Sequence, residues 1–465
     1  MGMFGWETAG ACAVVLSCLA LIPQMRTAER KEWFLAIVST IVLAIWQPEG
    51  LLVTVGMTAI AWFSIGGRSK GGGPRLHLPT KLGVILLLVP LLISKSLPWW
   101  GSPTRSIAGF DLNRWFVPLG LSFTSFRLIG VLLDSSALKI PVSPSRLALL
   151  ALFFPTVPSG PITTLQSLKD TGKETTWSSE LLPAGERILV GIARKVLLAD
   201  TLKQFVIDPW LAHGVGRLEP YQCLVMPVVF GMYVYWDFSG YSDMAIGIAR
   251  LLGYKVPENF NRPYMSRNLV DFWRRWHITL SEWIRIRLMM KIAGRRAGIS
   301  RLSAATIISM ALCGLWHGIG FGYLLWGVWH GVGLVVVHLF GEAKKRSERL
   351  RDGTHRMFGS FGSTILTFIY VTTGWVWFFL PLGDGVALIQ RGMQWRGGNL
   401  NEILVPLGMT AALLAAYAVR EQGNRLWERL PPSVRGTALA GLLGLVTYAL
   451  LYRYGVTQEF IYTQF

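Results

Sequence analysis

The sequence predicts an all-α, multi-pass membrane protein, and three observations support this prediction. Hydrophobic residues make up 52% of the 465 residues, and the mean hydropathy is +0.43, which is more apolar side chain than a soluble core of this size needs. Charged residues are only 15% of the chain. Apolar runs close to the ~20 residues that cross a bilayer as a helix recur along the chain, so we expect about 11 to 14 transmembrane or re-entrant helices.

These apolar runs extend through the whole chain and indicate one integral membrane domain over residues 1–465. No basic segment precedes the first run and no small-residue cleavage site clearly follows it, so we expect a retained helix and not a removed signal. The runs lie near residues 8–24, 33–48, 50–66, 82–98, 115–133, 145–158, 219–236, 303–318, 320–340, 362–381, 403–419 and 435–452.

The charge balance is strongly basic, with 45 Lys and Arg against 26 Asp and Glu and a formal net charge of +19. In a membrane protein this surplus indicates basic connections on the cytoplasmic side, facing anionic lipid. The sequence contains no nucleic-acid-binding motif, so we expect no nucleic acid partner. The basic connections are 26–31, 68–81, 262–301 and 344–356.

Cysteine and histidine spacing gives no support to a metal site. The four cysteines all lie in apolar segments without a Cys-x-x-Cys pair, so neither a disulfide framework nor a metal centre is expected. The nearest-spaced histidines, at 317, 330 and 338, lack acidic or cysteine companions at ligand spacing. Phosphate-loop, His-Glu-x-x-His and Gly-x-Ser-x-Gly motifs do not occur either.

Two segments depart from plain membrane spans. Residues 185–202 interleave basic and acidic residues with aliphatic ones, which is typical of an interfacial helix or one that lines a polar cavity. Prolines 155, 158 and 161 interrupt the segment that follows Phe153, so this segment cannot be a continuous helix. Non-helical backbone at membrane depth must be covered by protein or line an aqueous cavity.

The stretch from Tyr235 to Met244 combines apolar residues with two acids, Asp237 and Asp243, and with Ser239. It falls at the end of one apolar run and the start of the next. Carboxylates in hydrocarbon are costly and are candidates for function. The alternative is a wet interfacial turn in which Ser239 and Asp243 cap helix ends.

The segment 271–287 predicts a wall of a polar cavity if it is one helix. At 100° per residue, Arg274, His277, Ser281 and Arg285 fall on one face, while tryptophans gather on roughly the other. The alternative is an interfacial helix whose arginines bind lipid phosphates and whose tryptophans form an aromatic belt.

His317 is the candidate general base. It ends an apolar run and precedes the glycine-rich residues 318–322. A neutral imidazole there can accept a proton from a hydroxyl, and glycines allow close approach of backbone or substrate. A satisfied structural histidine is the alternative. His330 could orient a neighbour or simply pack, and His338 is expected to pack.

Several motifs in order resemble the membrane-bound O-acyltransferase superfamily, most closely its bacterial branch of alginate O-acetyltransferases and D-alanyl transferases. The resemblance covers about residues 110–465, with the core motifs within 110–381. The motifs are 235–244, Gly253 to Tyr264, Phe272 to Leu280, Leu315 to Gly318 and Trp326 to Gly331, with support from 118–123, 154–162, 374–378 and 460–465.

This resemblance implies tilted helices ringed around a central funnel or tunnel, with His317 as catalytic residue and His277 at a second polar position. It also implies transfer of an acyl group, with acetyl as the first expectation, from a cytoplasmic thioester such as acetyl-CoA. This thioester would be a co-substrate and not a permanently bound cofactor. The acceptor would be an exported polysaccharide, reached directly or through a periplasmic acyltransferase or polysaccharide-synthesis complex at the bacterial inner membrane. The predicted substrate-binding residues are Asp237, Ser239, Asp243, Arg274, Arg275, Trp316 and His330.

Two alternatives remain open. One is D-alanyl transfer to a cell-wall polymer from a carrier protein, and the other is a transporter with an intramembrane His, Asp and Arg path. The chain departs from its bacterial relatives after Trp283, where they usually continue with an Arg-Asp-Tyr-like sequence and a Pro-Leu-Gly-Gly turn. Ile284 to Lys291 lacks that acid and tyrosine, so the substrate and partner contacts of the relatives at this cytoplasmic end are not carried over to this chain.

Overall fold

A computed structural model describes residues 21–22, 25, 27–65, 78–96, 106–107, 110–111, 120–134, 142–170, 177–346, 348–395, 408 and 429–452. Several predictions fall outside these residues: most of the expected helices near 8–24 and 403–419, the motif 460–465, and residues 118–119 of the motif 118–123.

The described chain is built almost entirely from helices, which confirms the all-α prediction. The α-helices are α1 (Ala28–Trp46), α2 (Pro48–Ile65), α3 (Thr80–Ser96), α4 (Leu121–Asp134), α5 (Pro144–Leu152), α6 (Trp177–Ala193), α7 (Asp200–Leu202), α8 (Asp208–Leu211), α9 (Pro220–Leu251), α10 (Leu269–Trp273), α11 (Ile278–Ile284), α12 (Met290–Ala293), α13 (Ile299–His317), α14 (Phe321–Arg346), α15 (Glu348–Phe379), α16 (Leu382–Met393) and α17 (Pro432–Tyr452).

Shorter elements connect these helices. In the described part of the chain, three π-helical segments, Arg194–Ala199, Lys203–Ile207 and Arg285–Met289, and two 3₁₀ turns, Val215–Arg217 and Pro263–Met265, interrupt the α-helical pattern. Among the same residues, strands are confined to two antiparallel two-residue pairs, β1 (Ser106–Ile107) with β2 (Phe110–Asp111) and β3 (Lys169–Asp170) with β4 (Tyr254–Lys255).

Five helices in the described part of the chain are long and apolar enough to cross a membrane, and Gly50–Ile65 is a shorter apolar helix. Their composition agrees with a membrane protein because in lipid a helix satisfies all of its own backbone hydrogen bonds. The five are Pro220–Leu251, Ile299–His317, Phe321–Arg346, Phe361–Phe379 and Ser433–Leu450.

Internal contacts divide the chain into two units. Unit 1 contains residues 1–190, 241–259 and 455–465, and unit 2 contains 191–240 and 260–454. The expectation of one domain over residues 1–465 stays a prediction.

In unit 1, the proline-interrupted segment 153–161 is non-helical and fully buried, as the proline pattern predicts. The guanidinium of Arg127 on α4 donates hydrogen bonds to the carbonyls of Leu150 and Thr156. The hydroxyl of Tyr241 donates to the Pro155 carbonyl at 2.9 Å. The side chains of Arg127 and Tyr241 therefore supply hydrogen bonds to backbone carbonyls in and beside this segment, which a regular helix would satisfy internally.

In unit 2, helices α13 and α14 pack with their backbones in close approach. A Cβ added at Gly327 would lie 2.2 Å from the Met310 carbonyl oxygen, and one at Gly314 would lie 2.0 Å from that of Tyr323. Small residues at such positions allow membrane helices to approach each other. This packing sets the position of His317, at the end of α13, against the first turns of α14.

Candidate active site

His317 is the last residue of α13 and is 3% exposed. Its ring lies edge-on to Trp326, with the ring centroids 5.4 Å apart, and to Phe378 at 4.9 Å. Trp316, which the sequence places among the substrate-binding residues, has its ring centroid 4.4 Å from that of His317. The predicted base is therefore a buried imidazole enclosed on several sides by aromatic rings.

His277 lies at the other end of a continuous set of rings. We call Phe238, Phe260, Trp276, Trp375, Trp326 and Phe378 the aromatic cluster. His277 contacts Phe238 with a centroid distance of 4.7 Å, and successive contacts of 5.0 to 5.8 Å lead through Phe260, Trp276 and Trp375 to Trp326. The structure thus brings His277 and His317 to the same cluster, although the two rings are separated by several side chains along this path.

The backbone at His277 is unusual. With φ 41° and ψ 56°, the residue is in the left-handed region, which few non-glycine residues occupy. The imidazole is 1% exposed, and burial lowers the pKa of His277 from its ordinary value to about 3. The side chain is therefore neutral at physiological pH and can accept or donate a hydrogen bond.

Residues 271–287 do not form the single helix on which the predicted polar wall depends. Helix α10 ends at Trp273, a turn follows, and α11 begins after His277. The carbonyl of Arg275 in this turn accepts a hydrogen bond from the Asn261 backbone amide at 2.9 Å. The break directs His277 and Trp276 into the aromatic cluster, an outcome that helical periodicity could not show.

His330 is completely buried on α14. Its ring stacks on Phe272 at 6.1 Å and lies edge-on to Trp273 and Trp326 at 5.2 and 5.0 Å. Neither ring nitrogen has a hydrogen-bond partner among the described residues. His330 therefore adjoins the same cluster as His317, through their shared neighbour Trp326.

Asp237 on α9 belongs to a buried ion triad. The ammonium of Lys195, which is fully buried, lies 2.6 Å from Asp237 and 2.9 Å from Asp200. Burial lowers the pKa of Lys195, but the two carboxylates raise it more, and the net result is a pKa above the ordinary value. Sequence reasoning did not identify Lys195 as a site residue. The only indication in the sequence was the position of this lysine within residues 185–202, where charged and aliphatic residues alternate.

The alternative in which residues 235–244 form an interfacial turn is wrong, because α9 continues from Pro220 to Leu251. Ser239 and Asp243 therefore do not cap helix ends. Ser239 is buried within the helix, and its hydroxyl has no partner among the described residues. Asp243, in unit 1, pairs with Arg187 at 3.1 Å, and Arg187 also binds Glu258.

The two adjacent arginines have different surroundings. Arg275 pairs with Asp271 at 2.7 Å. Arg274, by contrast, lines a cavity of about 570 Å³ together with Ser281 and Arg285. Three of the four residues predicted to share a polar wall therefore do so, while His277 is not among the lining residues. His338, expected only to pack, also lines this cavity.

Substitutions at His277 separate its backbone conformation from its chemistry. His277→Val is expected to destabilise the protein by about 1–2 kcal/mol, since a β-branched residue fits the left-handed region poorly. His277→Asn is expected to unfold close to the wild-type temperature because asparagine tolerates this region. Thermal unfolding of both purified variants tests this, and equal destabilisation would show that the lost ring packing dominates.

Comparison with known proteins identifies the family. The model of the membrane-bound O-acyltransferase family matches residues 86–372, a range that includes His277, His317 and His330. The chain is 30% identical over 360 residues to the protein of Pseudomonas aeruginosa named probable alginate O-acetylase, covering 75% of this chain and 66% of that one. The match to the protein of the same name from Pseudomonas syringae is 30% over 83% of this chain and 75% of the relative.

A second group of relatives is named for another activity. The teichoic acid D-alanyltransferase of Bacillus subtilis is 29% identical over 63% of this chain and 75% of its own length. The chain spans 66% and 62% of the length of the first two alginate relatives. Because the family model covers more than half of the chain, the chain belongs to the membrane-bound O-acyltransferase family.

Proposed function

We propose that this chain transfers an acyl group, acetyl in the first instance, from a thioester donor to a hydroxyl of an exported polysaccharide. Family membership supports the reaction type, and alginate is the polymer in the names of several relatives. The observation that carries the proposal is the buried imidazole of His317, held at a helix end among aromatic rings within the matched region.

In the proposed reaction, an acceptor hydroxyl attacks the carbonyl carbon of the thioester while His317 takes the hydroxyl proton. The tetrahedral intermediate collapses with cleavage of the C–S bond, and the leaving thiolate receives a proton from the imidazolium. General base catalysis of this kind contributes ~10²–10⁴-fold to the rate. The surrounding rings exclude water, which favours transfer over hydrolysis.

His277, or a backbone amide, would stabilise the oxyanion. A neutral imidazole carries one N–H donor, and a preorganised donor at the oxyanion is worth ~10²–10³-fold in rate. The aromatic cluster connects His277 to the surroundings of His317. Trp316 and His330 would contact substrate near the base, and roles for Asp237, Ser239 and Asp243 in substrate binding remain part of the proposal.

The donor would be acetyl-CoA, entering from the basic side of the protein. Arg274, which is exposed and lines the cavity, can bind phosphate as a charge-assisted partner. We also propose Arg275 as a donor contact, although it would have to share its guanidinium with Asp271. The proposed location is the bacterial inner membrane, with several membrane passes, and transfer proceeds directly or through a periplasmic acyltransferase.

D-alanyl transfer from a carrier protein is the second candidate, favoured by the match to the Bacillus subtilis teichoic acid D-alanyltransferase. It uses the same base and a thioester of the same kind. The replacement of the expected acid and tyrosine after Trp283 by Ile284 to Lys291 gives no preference between the two donors.

The test supplies purified full-length protein in lipid nanodiscs with radiolabelled acetyl-CoA or with D-alanyl carrier protein, and with polysaccharide from the source cells. We expect label from acetyl-CoA to enter the polysaccharide. Mass spectrometry of surface polysaccharide from cells with and without the gene should show acetyl groups that depend on it.

Label only from the D-alanyl carrier would select the second candidate. Failure of transfer from every donor, together with unaltered polysaccharide, would leave the transporter alternative. In that case the buried triad of Lys195, Asp237 and Asp200 would be the first group to test for proton movement.

A further inference from the structure

The surroundings of His317 need a hydrogen-bond donor if acyl transfer takes place there, because the carbonyl oxygen of the thioester becomes an oxyanion when the hydroxyl attacks. His317 is the last residue of α13, and at that end of a helix the amides are bonded within the helix while the carbonyls lack partners. His277 is separated from His317 by several side chains of the aromatic cluster. A donor close to His317 is therefore to be sought on a neighbouring element.

Trp326, on α14, places an indole ring directly against His317. The two rings are edge-on, with an interplanar angle of 89° and centroids 5.4 Å apart. Phe378 also contacts His317 but has no polar atom in its side chain, and Trp316 is only partly buried. Trp326 is 2% exposed, so a hydrogen bond from its N–H would form in a site of low dielectric, where such a bond is strong.

The indole N–H of Trp326 has no hydrogen-bond partner among the residues that the structure describes. Two nearby tryptophans do use theirs. Trp375 donates to the Tyr264 hydroxyl at 3.2 Å. Trp329 donates to the Tyr370 carbonyl, also at 3.2 Å. Buried donors are normally satisfied, and an exception needs an explanation such as a catalytic role or a bound molecule. The N–H of Trp326 is therefore free to bind a substrate atom.

The position of this indole is fixed by its neighbours. Gly327, the next residue, packs so closely on α13 that a Cβ there would lie 2.2 Å from the Met310 carbonyl oxygen. A donor held in this way needs no reorganisation when the oxyanion forms. The rings in contact with Trp326, none of them from a lysine or arginine, are those of Trp273, His317, His330, Trp375 and Phe378.

We propose that the Trp326 indole N–H is the donor that stabilises the oxyanion, which makes Trp326 a catalytic residue beside His317. The inference rests on the proposed function. As the acceptor oxygen bonds to the thioester carbon, the π electrons of the carbonyl move to its oxygen, and the N–H binds that oxygen without giving up its proton. His317 takes the hydroxyl proton. When the carbonyl re-forms, the C–S bond breaks and the thiolate receives the proton from His317.

Replacing Trp326 by benzothienylalanine tests the inference, because this residue keeps both rings of the indole and has sulfur in place of the N–H. We expect kcat for acyl transfer to fall about 10²–10³-fold, the usual effect of removing one oxyanion donor, while KM for the thioester changes little. Trp326→Phe should lose at least as much. Initial rates are measured on the full-length protein in nanodiscs, with the donor that the wild type accepts.

Trp329 supplies a matched control on the same helix. Its N–H already donates to the Tyr370 carbonyl, so benzothienylalanine at position 329 should lower the unfolding temperature slightly and leave kcat unchanged. At position 326 the unfolding temperature should stay close to that of the wild type, because no hydrogen bond within the protein is lost. Equal losses of rate at the two positions would assign the effect to ring packing and overturn the inference.

Infrared spectroscopy gives a readout that needs no turnover. In acetyl-dethia-coenzyme A a methylene group replaces the thioester sulfur, so the carbonyl is kept and cannot be cleaved. The stretching band of its isotope-labelled carbonyl should lie at lower frequency on the wild-type protein than on the protein with benzothienylalanine at position 326, because a hydrogen bond weakens the C=O bond. The replacement at Trp329 should give the wild-type band. An equal band position in all three proteins would contradict the inference.

The outcomes separate this inference from the proposed function. Transfer by the wild type with an unchanged kcat in the Trp326 replacement would refute the inference alone and would assign the oxyanion to His277 or to a backbone amide. A wild-type protein that neither binds the analogue nor transfers an acyl group from any donor would refute the proposed function, and the inference with it.

Discussion

Replacing His317 by glutamine is expected to lower acyl transfer by about 10²–10⁴-fold, the usual contribution of a general base. Glutamine is similar in size and can still form hydrogen bonds, but it cannot accept the hydroxyl proton. Since the ring lies among Trp316, Trp326 and Phe378, some loss of packing is also expected. Initial rates of label transfer from the thioester measure the effect, and thermal unfolding shows whether the fold is retained.

His213→Gln is the matched control, because His213 is exposed in a loop and its replacement should leave the rate unchanged. Full activity in His317→Gln would contradict the role of His317 as the base. The double variant His317→Gln/His277→Asn adds a further comparison. If the two histidines act in one chemical step, its rate should be close to that of His317→Gln alone, because residues that work as a unit are not additive.

Replacing Lys195 by methionine is expected to have the largest effect on stability. The Lys195 ammonium is fully buried between Asp237 and Asp200, so its removal leaves two carboxylates without their cation. Removal of one partner from a buried ion pair costs about 3–5 kcal/mol. We expect a large fall in the midpoint of thermal unfolding, followed by loss of acyl transfer, since α9 carries both Asp237 and Phe238, the contact of His277.

Lys203→Met is the matched control. Lys203 pairs with Asp208 at 2.8 Å, but the two side chains are 24% and 46% exposed, and pairs with exposed members are worth ~0–1 kcal/mol. The double variant Lys195→Met/Asp237→Asn should recover part of the stability, because it removes one of the unpaired charges. A Lys195→Met protein that unfolds at the wild-type temperature would show that the triad is not an important stabilising interaction.

Several features of the site could be predicted from the sequence because they depend on local chemistry. His317 was singled out by an imidazole at the end of an apolar run, and the structure places it, buried, at the end of α13. The prolines of residues 153–161 excluded continuous helix, and the structure shows buried non-helical backbone there. In both cases the prediction depends on a property of the residue itself, the ring of proline or the imidazole of histidine, so it can be made without knowing the residue's neighbours in space.

Other features could not be predicted from the sequence, because they depend on contacts with residues far away in the chain. The segment 271–287 has a helical pattern, yet its helix breaks at His277, where the rings of Trp276 and His277 pack against Phe260 and Phe238. Residues 235–244 contain polar groups that indicate a turn, yet α9 continues through them because Lys195, 42 residues earlier, neutralises Asp237. No local pattern specifies a partner at that separation.

The pattern of apolar runs is sufficient to predict a helical membrane protein, because such runs in lipid must satisfy their backbone hydrogen bonds internally. The histidines able to act as a base can also be identified from their neighbours in the chain. Which side chains meet could be learned only from the folded chain: the aromatic cluster that connects His277 with His317, the cation of the buried triad, and the cavity that Arg274 lines with Ser281. Those contacts depend on how α9, α13 and α14 pack, and packing is a property of surfaces formed by residues far apart in the chain.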